Sequence, residues 1–122
     1  FVVQPGLYGL VQRQRARIAR AAGDWIAAEQ LIEDGLSFGP TVMPEADVIS
    51  DWALWAQSEG KQGKRQDATE KFEATLARIR EKRLERVATE AVVEAKFLAG
   101  QFFGEDPSQG ERALTLLVEA FM

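Results

Sequence analysis

Three arginines pose the first chemical question. Arg13, Arg17 and Arg20 stand at i, i+4 and i+7, so on a helix of 3.6 residues per turn they fall within a stripe of roughly 60°. Guanidinium groups aligned in this way can take a carboxylate, a phosphate or an acidic peptide through paired hydrogen bonds. The plainer alternative is a solvated face, or pairing with Asp47 and Asp51 farther along the chain. Trp25, Trp52 and Trp55 offer rings on which a ligand could stack, although aromatic residues at helical spacing more often fill a core. Trp55 lies toward the edge of its helix's apolar side and is kept as a candidate; Trp25, directly after a capping residue, reads as an inter-helix filler. Asp47 and Asp51, at i and i+4, could join a third carboxylate around a hard cation. An ordinary exposed or ion-paired first helical turn is the simpler reading. Lys61, Lys64 and Arg65 surround Gly63, but the spacing of a phosphate-binding loop is absent and no strand precedes them, so they read as a solvated turn.

Other chemistries are closed by composition. The chain has no cysteine and no histidine, which removes thiol nucleophiles, disulfides, imidazole bases and the usual zinc ligands. No pattern brings two carboxylates into an apolar pocket, and no motif calls for a cofactor or a metal, so a binding module is expected rather than an enzyme. A net charge of −4 argues against nucleic acid as the partner of the whole surface. Apolar residues at 46% with interspersed charges at 28% suit a globular chain, and no run of eighteen apolar residues is present to cross a bilayer. A cytoplasmic location is the expectation. The chain starts at Phe1, and Phe1 to Leu10 lack the features of a secretory signal, which suggests a piece of a larger protein.

The elements that must position these residues are helices. Apolar residues recur at three- and four-residue spacing, with breaks at Pro5-Gly6, Gly23-Asp24, Gly39-Pro40 through Pro44, Gly60 to Gly63, and Gly104 to Gly110. A first helix over about 7–22 has Leu7, Leu10, Val11, Ile18 and Ala22 on its apolar side. Gly23 then takes a left-handed conformation and Asp24 caps a second helix, which buries Trp25, Ala28, Leu31, Ile32 and Leu36. Pro44 opens a third helix, with Val48, Ile49, Trp52, Ala53, Trp55 and Ala56 along it, that ends at Gly60. Ala68, Phe72, Leu76 and Ile79 mark a fourth. A fifth carries a stripe from Leu84, Val87 and Ala88 to Phe102, and no glycine or proline separates it from the fourth. A sixth starts near Ser108 or Gln109 and uses Ala113, Leu114, Leu117, Val118 and Phe121.

The same unit occurs three times. In each, the second helix has a small residue followed four positions later by a large one: Ala28 and Ile32, Ala68 and Phe72, Ala113 and Leu117. Their spacing, 40 and then 45 residues, is looser than the 34 of a regular tetratricopeptide repeat. The expected fold is all-α: a single domain of three stacked antiparallel hairpins, at about 7–36, 45–79 and 82–121, forming a tetratricopeptide-like superhelix. With residue 9 as the first position of such a unit, Gly23, Asp24, Ala28 and Pro40 land where that motif favours them. Arg13, Arg17, Arg20 and Trp55 then become the candidates for a concave binding face. Phe97, Phe102, Phe103, Phe121 and Met122 cluster near the end, an apolar surface suited to a further repeat or to a homodimer.

The segment Gly23-Asp24-Trp25-Ile26-Ala27-Ala28-Glu29-Gln30-Leu31-Ile32-Glu33-Asp34-Gly35-Leu36, the turn Ala56 to Lys61, and Leu84-Glu85-Arg86-Val87 leading to Ala113-Leu114 carry a more specific likeness. In order and spacing these resemble the helical-repeat region of LuxR-type, MalT-like bacterial transcriptional regulators over most of residues 16 to 122. The resemblance implies a region set between a nucleotide-binding switch ATPase and a helix-turn-helix, where it binds a small-molecule inducer or an inhibitory protein. The Gly104 to Gly110 turn departs from the usual Gly-Asp pair. A generic tetratricopeptide scaffold that assembles partners or associates with itself is the alternative expectation.

Overall fold

A computed structural model describes residues 5–38 and 44–121; the Gly39-Pro40 break and Met122 lie outside them. Six α-helices follow in order: α1 Pro5–Ala21, α2 Trp25–Gly35, α3 Glu45–Lys61, α4 Arg65–Lys82, α5 Thr89–Gly104 and α6 Gly110–Phe121. Short 3₁₀ turns extend α2 at Leu36–Phe38 and precede α6 at Pro107–Gln109. Among the described residues there is no strand, and no helix is long and apolar enough to cross a membrane.

The joints follow local chemistry. Gly23 sits at φ +78° and the Asp24 carboxylate accepts the Ala27 amide at 3.1 Å, capping α2 as expected. Gly63, at φ +84°, performs the same reversal between α3 and α4, two residues after α3 ends at Lys61 rather than Gly60. Before α6, Asp106 accepts from both the amide and the hydroxyl of Ser108, at 3.0 and 2.8 Å. The boundary that the sequence does not mark, between α4 and α5, is made by Arg83, which takes the left-handed conformation at φ 53° without being glycine. This corrects the expected start of the fifth helix. Leu84 through Ala88 form turns, Leu84 and Ala88 are buried, and Val87 is 78% exposed.

Each helix packs chiefly on its sequence neighbour, α1 with α2, α3 with α4 and α5 with α6; α3 also contacts α2 and α5. Small residues set the close approaches. A Cβ on Gly35 would lie 3.2 Å from Gln12 Cβ and 3.5 Å from Gly9 Cα, one on Gly60 would meet the Phe102 ring at 3.1 Å, and one on Gly100 would clash with Leu117 at 2.8 Å. Ala28, Ile32, Ala68, Phe72 and Ala113 are buried as the repeated small-large pattern requires, and Leu117 is half-buried against Gly100.

The largest departure concerns α1. Leu7, Leu10, Val11, Ile18 and Ala22, the apolar side expected to be buried, face outward, with Ile18 71% exposed. Gly9, Gln12, Arg13 and Ala16 are buried instead. The inner side is selected by what receives it: Gly35 admits the α1 backbone at Gly9, Ala16 packs with Ile32 and Leu54, and Asp51 receives Arg13. The chief core lies beyond this pair, where Phe72, Phe102 and Phe103 cluster with ring centroids 5.2 to 6.2 Å apart, among Ile49, Ala68, Ile79, Leu98 and Leu116.

Candidate functional site

Helix α1 places Arg13, Arg17 and Arg20 along one edge, and each meets a different environment. Arg13 is buried, its Nε donating to Asp51 Oδ1 at 2.5 Å and Nη2 to Oδ2 at 3.4 Å, while Nη1 lies 3.5 Å from Asp47. Both aspartates, one helical turn apart on α3, are thereby engaged by an arginine of the preceding pair. Burial pushes the Asp51 carboxyl above the ordinary carboxylate range even though Arg13 pulls the other way, so desolvation outweighs attraction here.

Arg17 reaches farther. Its Nη1 and Nη2 both donate to the Glu94 carboxylate at 3.0 Å, a two-point bridge from α1 to α5 with both side chains partly exposed. The hydrogen bond to Glu94 raises the already high guanidinium pKa, so Arg17 is cationic throughout. Arg20, half-buried in the last turn of α1, has a buried Nη1 with no hydrogen-bond partner among the described residues. Gln57 Oε1 on α3 is likewise buried and unpartnered among them. Gln57 lines a cleft of about 420 Å³ with Lys61, Gln101, Leu98, Gly100 and Leu117.

The structure separates Trp55 from this cleft. Trp55 and Gln57 are two residues apart, about 200° around α3, and Trp55 turns toward α2 and α4. Its Nε1 donates to Glu29 at 3.1 Å, and Lys71 Nζ stands 4.5 Å from its ring. Trp52 shares this side with Arg78 at 5.3 Å, and the two indoles with Lys71 and Ala74 line an apolar hollow of about 270 Å³. Trp25, half-buried, has Lys61 5.9 Å from its ring.

Beneath Trp55 lies a carboxylate pair that sequence reasoning missed. Glu29 and Glu59 are both buried. Glu29 accepts from Lys64 at 2.9 Å and from Gln62 at 3.1 Å besides Trp55, and Lys71 approaches Glu59 at 2.6 Å. Burial works against both charges. In Glu29 the several donors overcome it and hold the carboxyl below its usual value, whereas Glu59, with Lys71 and a like charge beside it, is held above. The signal was present only as Lys64 and Lys71 spaced around the turn, and it needed the position of α2 to become legible.

The remaining basic and aromatic candidates are absorbed by packing. Lys64 is bound to Glu29, and Arg65 pairs with Glu105 at 2.9 Å while lying 4.4 Å from the Phe102 ring. Phe102 and Phe103 belong to the core; Phe97 is half-buried and meets exposed Phe121 edge to face at 5.6 Å. A second cleft of about 410 Å³, between α4 and α6, is crossed by the ion pairs of Arg112 with Glu73 and Lys96 with Glu119. Chemically, unused hydrogen-bonding capacity lies in a guanidinium donor of α1, at Arg20, and an amide acceptor of α3, at Gln57, of which the second lines the cleft between α3 and α5. Comparison of the chain with protein-family models, with curated proteins and with solved structures finds no match.

Proposed function

We propose that the three helical pairs stack as a tetratricopeptide-like superhelix, and that the face formed by α1, α3 and α5 is a binding surface for a protein segment or small-molecule effector. The observation that carries this reading is that Arg20 Nη1 and Gln57 Oε1 are buried without a hydrogen-bond partner among the described residues; Glu59 Oε1, which shares that standing, has Lys71 Nζ 2.6 Å away to balance its charge. Buried donors and acceptors are nearly always satisfied, and each one left alone costs about 1–3 kcal/mol. A carboxylate or carbonyl satisfies the Arg20 donor, and an N–H satisfies the Gln57 acceptor. An acidic peptide offers both along its backbone and side chains. Arg17 extends the same edge, its cation shared with Glu94, while Arg13, held by Asp51, positions α1 and does not reach the ligand.

The likeness of residues 23–36, 56–61 and 84–87 to the helical-repeat region of LuxR-type regulators supports a signal-sensing role in transcription regulation, with the protein acting as a binding domain rather than an enzyme. The test is a calorimetric titration of glutamate-rich peptides and anionic metabolites into the wild type and into a Arg17→Ala, Arg20→Ala variant. A loss of tenfold or more in affinity, with helicity unchanged, is the expected result. Equal affinity for both proteins removes the assignment of this face.

A further inference from the structure

The outward turn of α1 leaves an apolar stripe on one end of the fold, and the other end carries a second. On α1 the exposed side chains are Leu7, Leu10, Val11 and Ile18, at 55, 41, 48 and 71% exposure; on α6 they are Leu114, Val118 and Phe121, at 65, 46 and 73%. Both rows follow helical spacing, so each is one continuous face of a helix and not scattered surface residues. The charges around them are opposite. Helix α1 has no acidic residue; of its four arginines, Arg13 and Arg17 are engaged within the molecule by Asp51 and Glu94, and Arg15 is exposed. The last pair, residues 89–121, carries Glu90, Glu94, Glu105, Asp106, Glu111 and Glu119 against Lys96 and Arg112; Glu94, Glu105 and Glu119 are paired within the molecule, with Arg17, Arg65 and Lys96, and Arg112 with Glu73, which leaves Glu90, Asp106 and Glu111 without an ion pair among the described residues. At the rims, Arg15 is exposed beside the first stripe and Glu111, exposed in the first turn of α6, has no ion pair among the described residues.

We propose that the occupant of each face is the other face of a second copy of this chain: α1 of one molecule packs against the α5–α6 end of the next. The molecule contains a precedent, because α3 already packs against α2 of the preceding pair while its Asp51 accepts from Arg13 of α1 and its Asp47 lies beside the same guanidinium. A head-to-tail contact likewise joins one helical pair to the next through apolar packing and opposite charges, with the polarity reversed: the arginine is on the incoming α1 and the carboxylates are on the α5–α6 end. Like-with-like pairing is disfavoured, since two α1 faces oppose arginine to arginine and two α6 ends oppose carboxylate to carboxylate. A contact between different faces does not use itself up, so association proceeds past the dimer to chains or a closed ring. One helix on one helical end is a contact at the small end of the range for specific interfaces, which places the dissociation constant in the micromolar range or weaker.

The inference takes the stacked pairs proposed above as its template and is tested apart from them. Two variants of the 122-residue chain are needed: Ile18→Glu, which charges the first face, and Leu114→Glu, which charges the second. Sedimentation velocity at rising concentration is expected to show the wild type growing beyond the dimer and weakening in high salt. Each variant alone stays monomeric, and an equimolar mixture forms a one-to-one dimer and nothing larger, because only one intact pair of complementary faces remains. Circular dichroism confirms that both variants are folded. If the wild type is a monomer up to ~1 mM, or if either variant dimerises alone, the head-to-tail contact is overturned. Small-angle scattering of the monomeric variants reads the stacked shape independently, so a failure of that reading is seen separately.

Discussion

The two ends of this chain are held together by different physics. From α3 onward the interior is chiefly aromatic and aliphatic, with Phe72 fully buried against Phe102 and Phe103 and with Ile49, Ala53, Ala56, Ala68 and Ala95 entirely out of solvent; the polar groups buried there, Asp51, Ser58, Glu59 and Thr75, are few beside it. The α1–α2 pair has a small apolar contact of Ala16, Ile32 and Leu54, and beside it Gln12, Arg13 and Glu29 are buried. A hydrophobic core holds through summed area and tolerates small shifts; a buried ion pair holds only in one geometry and penalises the loss of either partner. The comparison shows how one pair can be attached to the rest by orientation more than by area.

The largest expected effect tests the aromatic half. Phe72→Ala should cost about 3–5 kcal/mol of stability, read as a fall in the denaturation midpoint, and it should weaken hydrogen-exchange protection throughout α3 to α6. A cost near 1 kcal/mol would mean that the core is looser than these contacts imply. Next in size is Arg13→Leu, which strands the Asp51 charge and should cost about 3 kcal/mol, with Arg13→Leu combined with Asp51→Leu recovering most of it. Recovery by the double variant separates a buried ion pair from ordinary packing; additive losses would erase the contrast between the two regions.

A smaller effect is expected at the surface of the first pair. Asp24→Ala removes the cap that accepts the Ala27 amide and should lower stability by about 1 kcal/mol, with fraying confined to the start of α2 in hydrogen exchange. The finest test concerns pH. Asp51 in the folded protein titrates above its ordinary value of 3.8 because burial dominates. The folded state then binds more protons than the unfolded one in the window above 3.8, so wild-type stability falls as pH rises through that window. Asp51→Asn lacks this slope. Chemical denaturation at several pH values should therefore show its penalty shrinking between acidic and neutral pH; a penalty that grows instead would mean that attraction to Arg13 exceeds desolvation.

Much of the helix order was legible because punctuation is local. Gly23-Asp24 and the Gly60 to Gly63 stretch announce their turns within a few residues, and the small-large pairs of α2 and α4 identify their buried sides. The orientation of α1 was not legible. Its greasier side reads as the inner one until Gly35 and Asp51, in other helices, show which side they receive. For the arginines the sequence offered groove or ion pair, and Arg13 proved to be the second. Trp55 could not be separated from them without knowing that α2 and α4 flank its side of α3. The α4–α5 joint stayed hidden because Arg83 adopts a conformation that its residue type does not advertise.

The Arg17–Glu94 bridge spans 77 residues of chain in a molecule whose helices otherwise pack within their own pair or on the adjacent pair. Local contacts of that sort let a helical chain assemble quickly, while closing so long a loop is entropically unfavourable until the intervening segments are already in place. The bridge therefore belongs to the late side of the folding barrier. Substituting Glu94 should speed unfolding and leave the refolding rate nearly unchanged, making this pair a clock hand for the completion of the native state.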